Sequence, residues 1–209
     1  SGKYETMKQF TYYKTEKLEG TSFTCYIKNG LFGVTGRTIE FKVPELEANI
    51  NTLNVYWKVA RKFDMENKLR TELTWHENEG LQNIALQGEL IGEGIQGNIY
   101  KLKGQSVRFY NAFNIDTQEY IEYEMFLKMI KDMELETIPI LNSNYTLPEN
   151  AIDLLIEADN TYSTLNPKQL IEGFVYVAKG KMTERIRITR ANFGRLSFKA
   201  KSRNYDMNK

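Results

Sequence analysis

The chain has 209 residues and weighs 24.4 kDa, with 41% hydrophobic, 12% aromatic and 26% charged residues. That is enough apolar material for a core without staples, and it rules out wholesale disorder. One cysteine, Cys25, and one histidine, His76, exclude a disulfide framework, a cysteine-rich zinc site and any two-histidine metal site. An enzyme made from this chain therefore draws its acids, bases and nucleophile from Lys, Glu, Asp, Tyr or Ser.

The net charge of +1 hides an asymmetry. Residues 179–209 carry ten Lys/Arg against Glu184 and Asp206, a net +8, and the other 178 residues carry 18 bases and 25 acids, a net −7. A basic C-terminal stretch on an acidic body points to a polyanion partner, although charge runs also solvate ordinary surfaces. No stretch approaches 18 apolar residues and the N-terminus has no apolar signal core, so neither a membrane span nor a secretory signal is expected. A single free cysteine suits a reducing intracellular compartment, cytoplasm or nucleus. Ser1-Gly2 reads as a cloning remnant.

Along the chain, Thr21–Ile27 and Leu31–Thr35 are β-branched and aromatic runs around Lys28-Asn29-Gly30, a strong hairpin signal. Leu53, Tyr56, Trp57, Ala60 and Phe63 fall on one helical face, which predicts a helix over about residues 50–72. His76 is expected at the surface in the turn at 77–80. Strands are expected over 83–90 and 106–115. Asp116 or Thr117 would cap a helix with Tyr120, Ile121, Met125 or Phe126, Met129 and Ile130 on its apolar side. A short helix over 150–158 and strands over 174–177, 186–188 and 196–200 follow. The acidic run 116–159 reads as a solvated face. The mixture lacks βαβ regularity, so an α+β fold with antiparallel sheets flanked by helices, in one domain over 1–209, is expected.

Several segments suit phosphate chemistry. Lys17 stands just before the first expected strand, in Glu16-Lys17-Leu18-Glu19-Gly20. Gly88–Gln96 is a strand followed by a Gly-rich turn. Glu172-Gly173 precedes an apolar run, and Lys199 and Lys201 share one face of a strand, since strand side chains alternate. An ordinary lysine is neutral in only about one part in a thousand near pH 7.4, so a nucleophilic lysine needs neighbouring cations or desolvation. Lys199, Lys201 and a divalent ion would supply the cations. Carboxylates such as Glu89 and Glu172 suit a water-rich Mg²⁺ site, which needs few protein ligands. Each segment alone occurs often by chance.

In order, these segments resemble the ATP-dependent RNA ligases of the covalent nucleotidyltransferase superfamily, and among them the phage RNA ligase 2 group with its editing and repair relatives. Lys17-Leu18-Glu19-Gly20 looks like the nucleotidyl-lysine motif. Arg37 stands where an arginine follows the next hairpin. Gly88–Gln96 matches Gly-Glu-x-x-Gly-x-Gly-Ile-Gln, the most specific of the matches. Phe109–Ile115 resembles an aromatic strand ending in Phe-Asp-Ile, Glu172–Val175 the Glu-Gly-x-Val motif, and Phe198–Ser202 the closing Lys-x-Lys motif. The matches run in family order from residue 16 to residue 202.

The resemblance implies a nucleotidyltransferase fold around a nucleotide pocket and a three-step reaction. Lys17 would form lysyl-AMP from ATP with Mg²⁺ or Mn²⁺, AMP would pass to an RNA 5′-phosphate, and a 3′-hydroxyl would displace it. Glu89, Glu172 and Glu19 would bind metal, directly or through water, and contact the nucleotide. Phe113 would stack on adenine, Lys199 and Lys201 would hold the α-phosphate, and Glu16 would lie near the adenine edge through its backbone. Arg37 would contact ribose or the 5′-phosphate of the strand to be sealed, Ser22 an RNA phosphate, and Arg185, Arg187, Arg190 and Arg195 the RNA backbone. The implied partners are ATP and RNA ends or a nicked duplex, with a monomer as the default.

Glu19, Ser22 and Asn114 stand where Asp or His, Asn, and Asp are usual. No accessory OB or helical domain is recognisable. A DNA ligase, a GTP-using capping enzyme, or a module that binds nucleotide or RNA ends without catalysis stays open on the sequence.

Overall fold

The computed structural model describes residues 2–180 and 195–205. In chain order its elements are α1 (Gly2–Met7), β1 (Thr11–Lys17), β2 (Thr21–Lys28), β3 (Leu31–Thr35), β4 (Glu40–Phe41), α2 (Val55–Lys62), α3 (Met65–Trp75), β5 (Ile84–Gly92), β6 (Gln105–Asn114), β7 (Glu119–Tyr120), α4 (Tyr123–Asp132), β8 (Glu136–Thr137), β9 (Ile140–Thr146), α5 (Ile152–Asp159), β10 (Gly173–Ala178) and β11 (Ser197–Lys201). They form two compact units, one of Ser1–Glu19, Ile99–Lys101 and Ile138–Lys209, the other of Gly20–Asn98 and Leu102–Thr137. The expected α+β class, with antiparallel sheets and flanking helices, is what the structure has.

The first unit is built on a sheet of order β11-β10-β1-β9, antiparallel throughout. Opposed residues on antiparallel strands share a face. One face therefore presents Tyr12, Phe174, Tyr176, Ala178, Phe198 and Ala200, which pack with Leu154 and Ala158 of α5, and with Leu147 and Ile171, into an apolar core. Tyr176 stacks on Phe198 with centroids 4.9 Å apart. The other face carries Thr15 and Lys17 of β1 and, across β10, Lys199 and Lys201 of β11.

The second unit has a larger sheet of order β4-β3-β2-β5-β6-β7, with β8 added parallel to β6. The hairpin forms as expected: Asn29 and Gly30 take φ of 52° and 77°, so a two-residue loop closes β2 on β3. Phe23, Cys25 and Ile27 alternate inward with Leu86, Leu90, Val107 and Phe109, and α2, α3 and α4 pack against the sheet. Full burial of each of these larger side chains stabilises by about 1.5–3 kcal/mol. Burial pushes the Cys25 thiol up to about 12, which suits its expected role as a small core hydrophobe.

Four expectations need correction. Lys17 does not precede the first strand but ends one: β1 is central, buried on both faces, and so lacks the alternation that marks a strand. The helix expected over 50–72 is two helices. Asn54 caps α2 through the Trp57 amide, and Asp64 in a left-handed conformation (φ 52°) separates α2 from α3. Asp116 and Thr117 cap no helix. Both of their amides donate to the Asn114 side chain, the turn brings Glu119 and Tyr120 back alongside β6, and α4 begins only at Tyr123. His76 is not at the surface but 7% exposed, its ring nitrogens 3.1 Å from Glu72 and 2.9 Å from Glu79. The acidic run is exposed as expected except for Asp159, which is buried. The strand expected over 186–188 lies outside the described residues.

Burial works against charge on His76, but the carboxylates of Glu79 and Glu72 outweigh it and raise the imidazole above its ordinary 6.5. A raised folded value means that the stabilisation is complete below 6.5 and is lost as pH rises through the folded value. Chemical denaturation from about pH 6 to about pH 9 should show wild type losing its stability advantage over His76→Gln across that window. Parallel profiles would contradict the pairing.

Candidate active site

In the first unit, the registers of β1, β10 and β11 put Lys17, Gly173 and Lys201 on one rung and Thr15, Val175 and Lys199 on the next rung of the same parity. All three lysines thus project from one face, with the side-chain-free Gly173 between Lys17 and Lys201. A Cβ at Gly173 would lie 2.3 Å from the Ala200 carbonyl oxygen, so only glycine lets β11 come this close. Lys199 and Lys201 are exposed. Lys17 Nζ lies 2.8 Å from Glu172 Oε1, with the two side chains 25% and 11% exposed. The other oxygen, Glu172 Oε2, is buried with no hydrogen-bond partner. The Glu172 carbonyl accepts from the Ser202 amide, which continues the ladder past β11.

Glu16 points to the opposite face. Its fully buried carboxylate accepts from the Ser163 hydroxyl (2.6 Å) and from the Thr164 amide and hydroxyl (2.9 and 2.7 Å). The side chain is therefore committed to holding the loop after α5, which leaves only its backbone for the expected nucleotide contact. Leu18 is buried. Glu19 donates its amide to the Tyr100 phenol at 2.6 Å and accepts on Oε2 from the Tyr205 phenol. Burial first, and the Glu19 carboxylate second, push the Tyr205 phenol far up, so it remains a donor. Asp159, at the end of α5, fixes the segment after β11: it accepts from the Arg203 amide (2.6 Å) and guanidinium (2.7 Å). The Arg203 hydrogen bond holds the Asp159 carboxyl below its usual range. Tyr100, Tyr205 and Asp159 were not foreseen, because nothing in their local sequence distinguishes them from other buried residues.

In the second unit, Ser22 opposes Glu89 and Glu89 opposes Arg108. The β5–β6 register shifts between Gln87 and Gly88, leaving Tyr110 as an extra residue on β6. This bulge resets the alternation. Arg108 before it, and Asn111 and Phe113 after it, share the face that carries Ser22 and Glu89, while Phe109 and Ala112 stay in the core. Without the extra residue Phe113 would point inward. It is instead partly exposed, edge-on to Tyr120 with centroids 5.2 Å apart. Burial, then the Glu89 charge, raise the Tyr110 phenol to about 12. Arg37 is exposed in the turn between β3 and β4. Gly20, which closes the lysine motif, lies so close to β5 that a Cβ would meet the Leu90 carbonyl oxygen at 2.2 Å.

Of the arginines expected at RNA, Arg185, Arg187 and Arg190 lie outside the described residues. Arg195 is 5% exposed and engaged within the protein, a placement unlike that of a backbone-phosphate contact. No group of three or more metal-ligating side chains occurs among the described residues. A single buried carboxylate with an unsatisfied oxygen, as at Glu172, fits a divalent ion that keeps most of its waters.

A family model described as RNA ligase matches residues 10–201. The chain belongs to the RNA ligase family. Solved structures of RNA ligase variants from Naegleria gruberi are similar: one with AMP and Mn and one with ATP and Mn, each at 30% identity and TM-score 0.77, and an apo form at 31% identity and the same score. In each case the likeness covers 96% of this chain and 52% of the other, so the chain spans about half the length of the ligases it matches. No curated protein matches the sequence. Among the described residues no helix is long and apolar enough to cross a membrane.

Gly173→Ala should cost about 1–3 kcal/mol by overpacking β10 against β11, read as a lower urea midpoint with an unchanged denaturant slope. Gly2→Ala, where a Cβ meets nothing within 4 Å, is the comparison that carries no overpacking cost and, being in α1, should if anything gain stability.

Proposed function

We propose that this chain is the adenylyltransferase part of an ATP-dependent RNA ligase. One observation carries the reading: Lys17, at the end of a central strand, is ion-paired to Glu172 and shares its sheet face with Lys199 and Lys201. Lysine is a nucleophile only as the free amine. In the proposed first step the Lys17 amine attacks the α-phosphorus of ATP, the bond to the β-phosphate oxygen breaks, and pyrophosphate leaves with lysyl-AMP formed. Lys17 gives up its proton to solvent as its ion pair with Glu172 opens. Lys199 and Lys201 bind the α-phosphate oxygens as charge builds on them. A divalent ion, Mg²⁺ or Mn²⁺, held by Glu172 and Glu19, directly or through water, would supply positive charge against the triphosphate, and Glu89 keeps its own assignment to metal and nucleotide.

Phe113 is assigned to adenine, Glu16 to the adenine edge through its backbone, Arg37 to ribose or the 5′-phosphate of the strand to be joined, and Ser22 to an RNA phosphate. AMP then moves to an RNA 5′-phosphate and is displaced by a 3′-hydroxyl. The placement within the phage RNA ligase 2 group rests on Gly88–Gln96. RNA ends or a nicked duplex are the proposed substrate, and a monomer within the cell is the proposed form.

Incubation with α-labelled ATP and Mg²⁺, followed by a denaturing gel, should label wild type. Lys17→Ala and Lys17→Arg should take no label; the arginine variant keeps the charge beside Glu172 but offers no nucleophilic amine. Lys201→Ala should slow labelling by about a hundredfold. An unlabelled wild type that still binds ATP would overturn the reading, and preferential labelling by GTP would point to capping chemistry instead.

A further inference from the structure

We infer that Tyr205 is a positioning residue for lysine adenylylation, acting through Glu19; the inference rests on the adenylyltransferase reading above. Glu19 lies two residues after Lys17 and is held at both ends. Its amide donates to Tyr100 at 2.6 Å and its Oε2 accepts from Tyr205. Both phenols are buried, at 4% and 2% exposure. With Leu18 buried and Lys17 paired to Glu172, every residue of the Lys17–Glu19 stretch is tied down.

Tyr205 is itself placed by a latch. The Arg203 amide and guanidinium donate to Asp159, and the Asn204 amide donates to the Ser202 hydroxyl at 3.2 Å. The segment beyond the Lys-x-Lys strand thus returns to clamp the lysine turn and fixes where the Glu19 carboxylate faces. Reach explains the residue type. With the Glu19 backbone held by Tyr100, an aspartate would be one methylene short of the Tyr205 phenol.

The test is single-turnover adenylylation with α-labelled ATP, measured over a range of ATP concentrations for wild type, Tyr205→Phe, Glu19→Asp and the double variant. Tyr12→Phe serves as control, because Tyr12 is equally buried and donates to the Met7 carbonyl at 2.6 Å within the same unit's core. Tyr205→Phe should lower the maximal rate by about tenfold, the equivalent of one lost hydrogen bond, with a smaller change in the ATP concentration at half-maximal rate. The double variant should be no slower than Glu19→Asp alone, since both changes break one contact. Tyr12→Phe should lose comparable thermal stability and keep its rate. A Tyr205→Phe rate equal to that of Tyr12→Phe, or Tyr205 and Glu19 effects that multiply, would overturn the inference while labelled wild type leaves the adenylyltransferase reading standing. An unlabelled wild type overturns both.

Discussion

The antiparallel register of β1, β10 and β11 is the constraint on which the candidate site depends. It brings Lys17, near one end of the chain, and Lys201, near the other, onto one rung with Gly173 between them. Because strand side chains alternate with period two, a slip of one residue would send each strand's whole set to the opposite face. Lys17 would exchange places with the buried Glu16, and Lys199 and Lys201 with Ala200. The lysines do nothing to prevent that slip. What prevents it is the other face, where Tyr12, Phe174, Tyr176, Phe198 and Ala200 would have to leave an apolar core. The polar face is positioned by the hydrophobic effect acting behind it.

The second sheet solves a related problem with a bulge. Its core wants Val107, Phe109 and Ala112 inward, and these do not fall on one uninterrupted alternation. The extra residue at Tyr110 reconciles them and turns Phe113 to the face that carries Ser22 and Glu89. Bulges re-aim side chains in this way at the edges of sites. Here the adjustment is made against Gly88, where a Cβ would lie 2.8 Å from the Arg108 carbonyl oxygen.

Legibility in the sequence followed physical locality. The β2–β3 hairpin was readable because Asn-Gly chemistry is local, and so were β5 and β6, whose core residues dominate the pattern. β1 was missed because a central strand buried on both faces has no alternation. β9 was missed because it is a mostly exposed strand of polar residues, bound through a register shift to β1. The helical break at Asp64 depends on one left-handed residue that a hydrophobic period cannot register. His76 looked like a turn residue because its two carboxylate partners, at helical spacing, lie among other charges. Lys17, Glu172, Lys199 and Lys201 were found as motifs, but their sharing of one face is a matter of long-range pairing. Tyr100, Tyr205 and Asp159 act only through tertiary hydrogen bonds, and no spacing announces them.

The Lys17–Glu172 pair shows why the site is costly to keep. A half-buried ion pair gains little over well-packed apolar residues once desolvation is counted. Glu172 goes further and leaves Oε2 buried without a partner, a deficit of about 1–3 kcal/mol for an unmet polar group. The surroundings are built to hold that arrangement: Gly173 admits β11, the Ser202 amide takes the Glu172 carbonyl, and Asp159 secures the segment that follows. A carboxylate kept short of one hydrogen bond by the strands around it has an oxygen left for a cation or an ordered water. The pairing with Lys17 keeps that readiness from exposing an uncompensated buried charge. In the proposed reaction the carboxylate that pairs with Lys17 is also the group that releases it, so the pair works as a latch opened by whatever offers Glu172 a better partner.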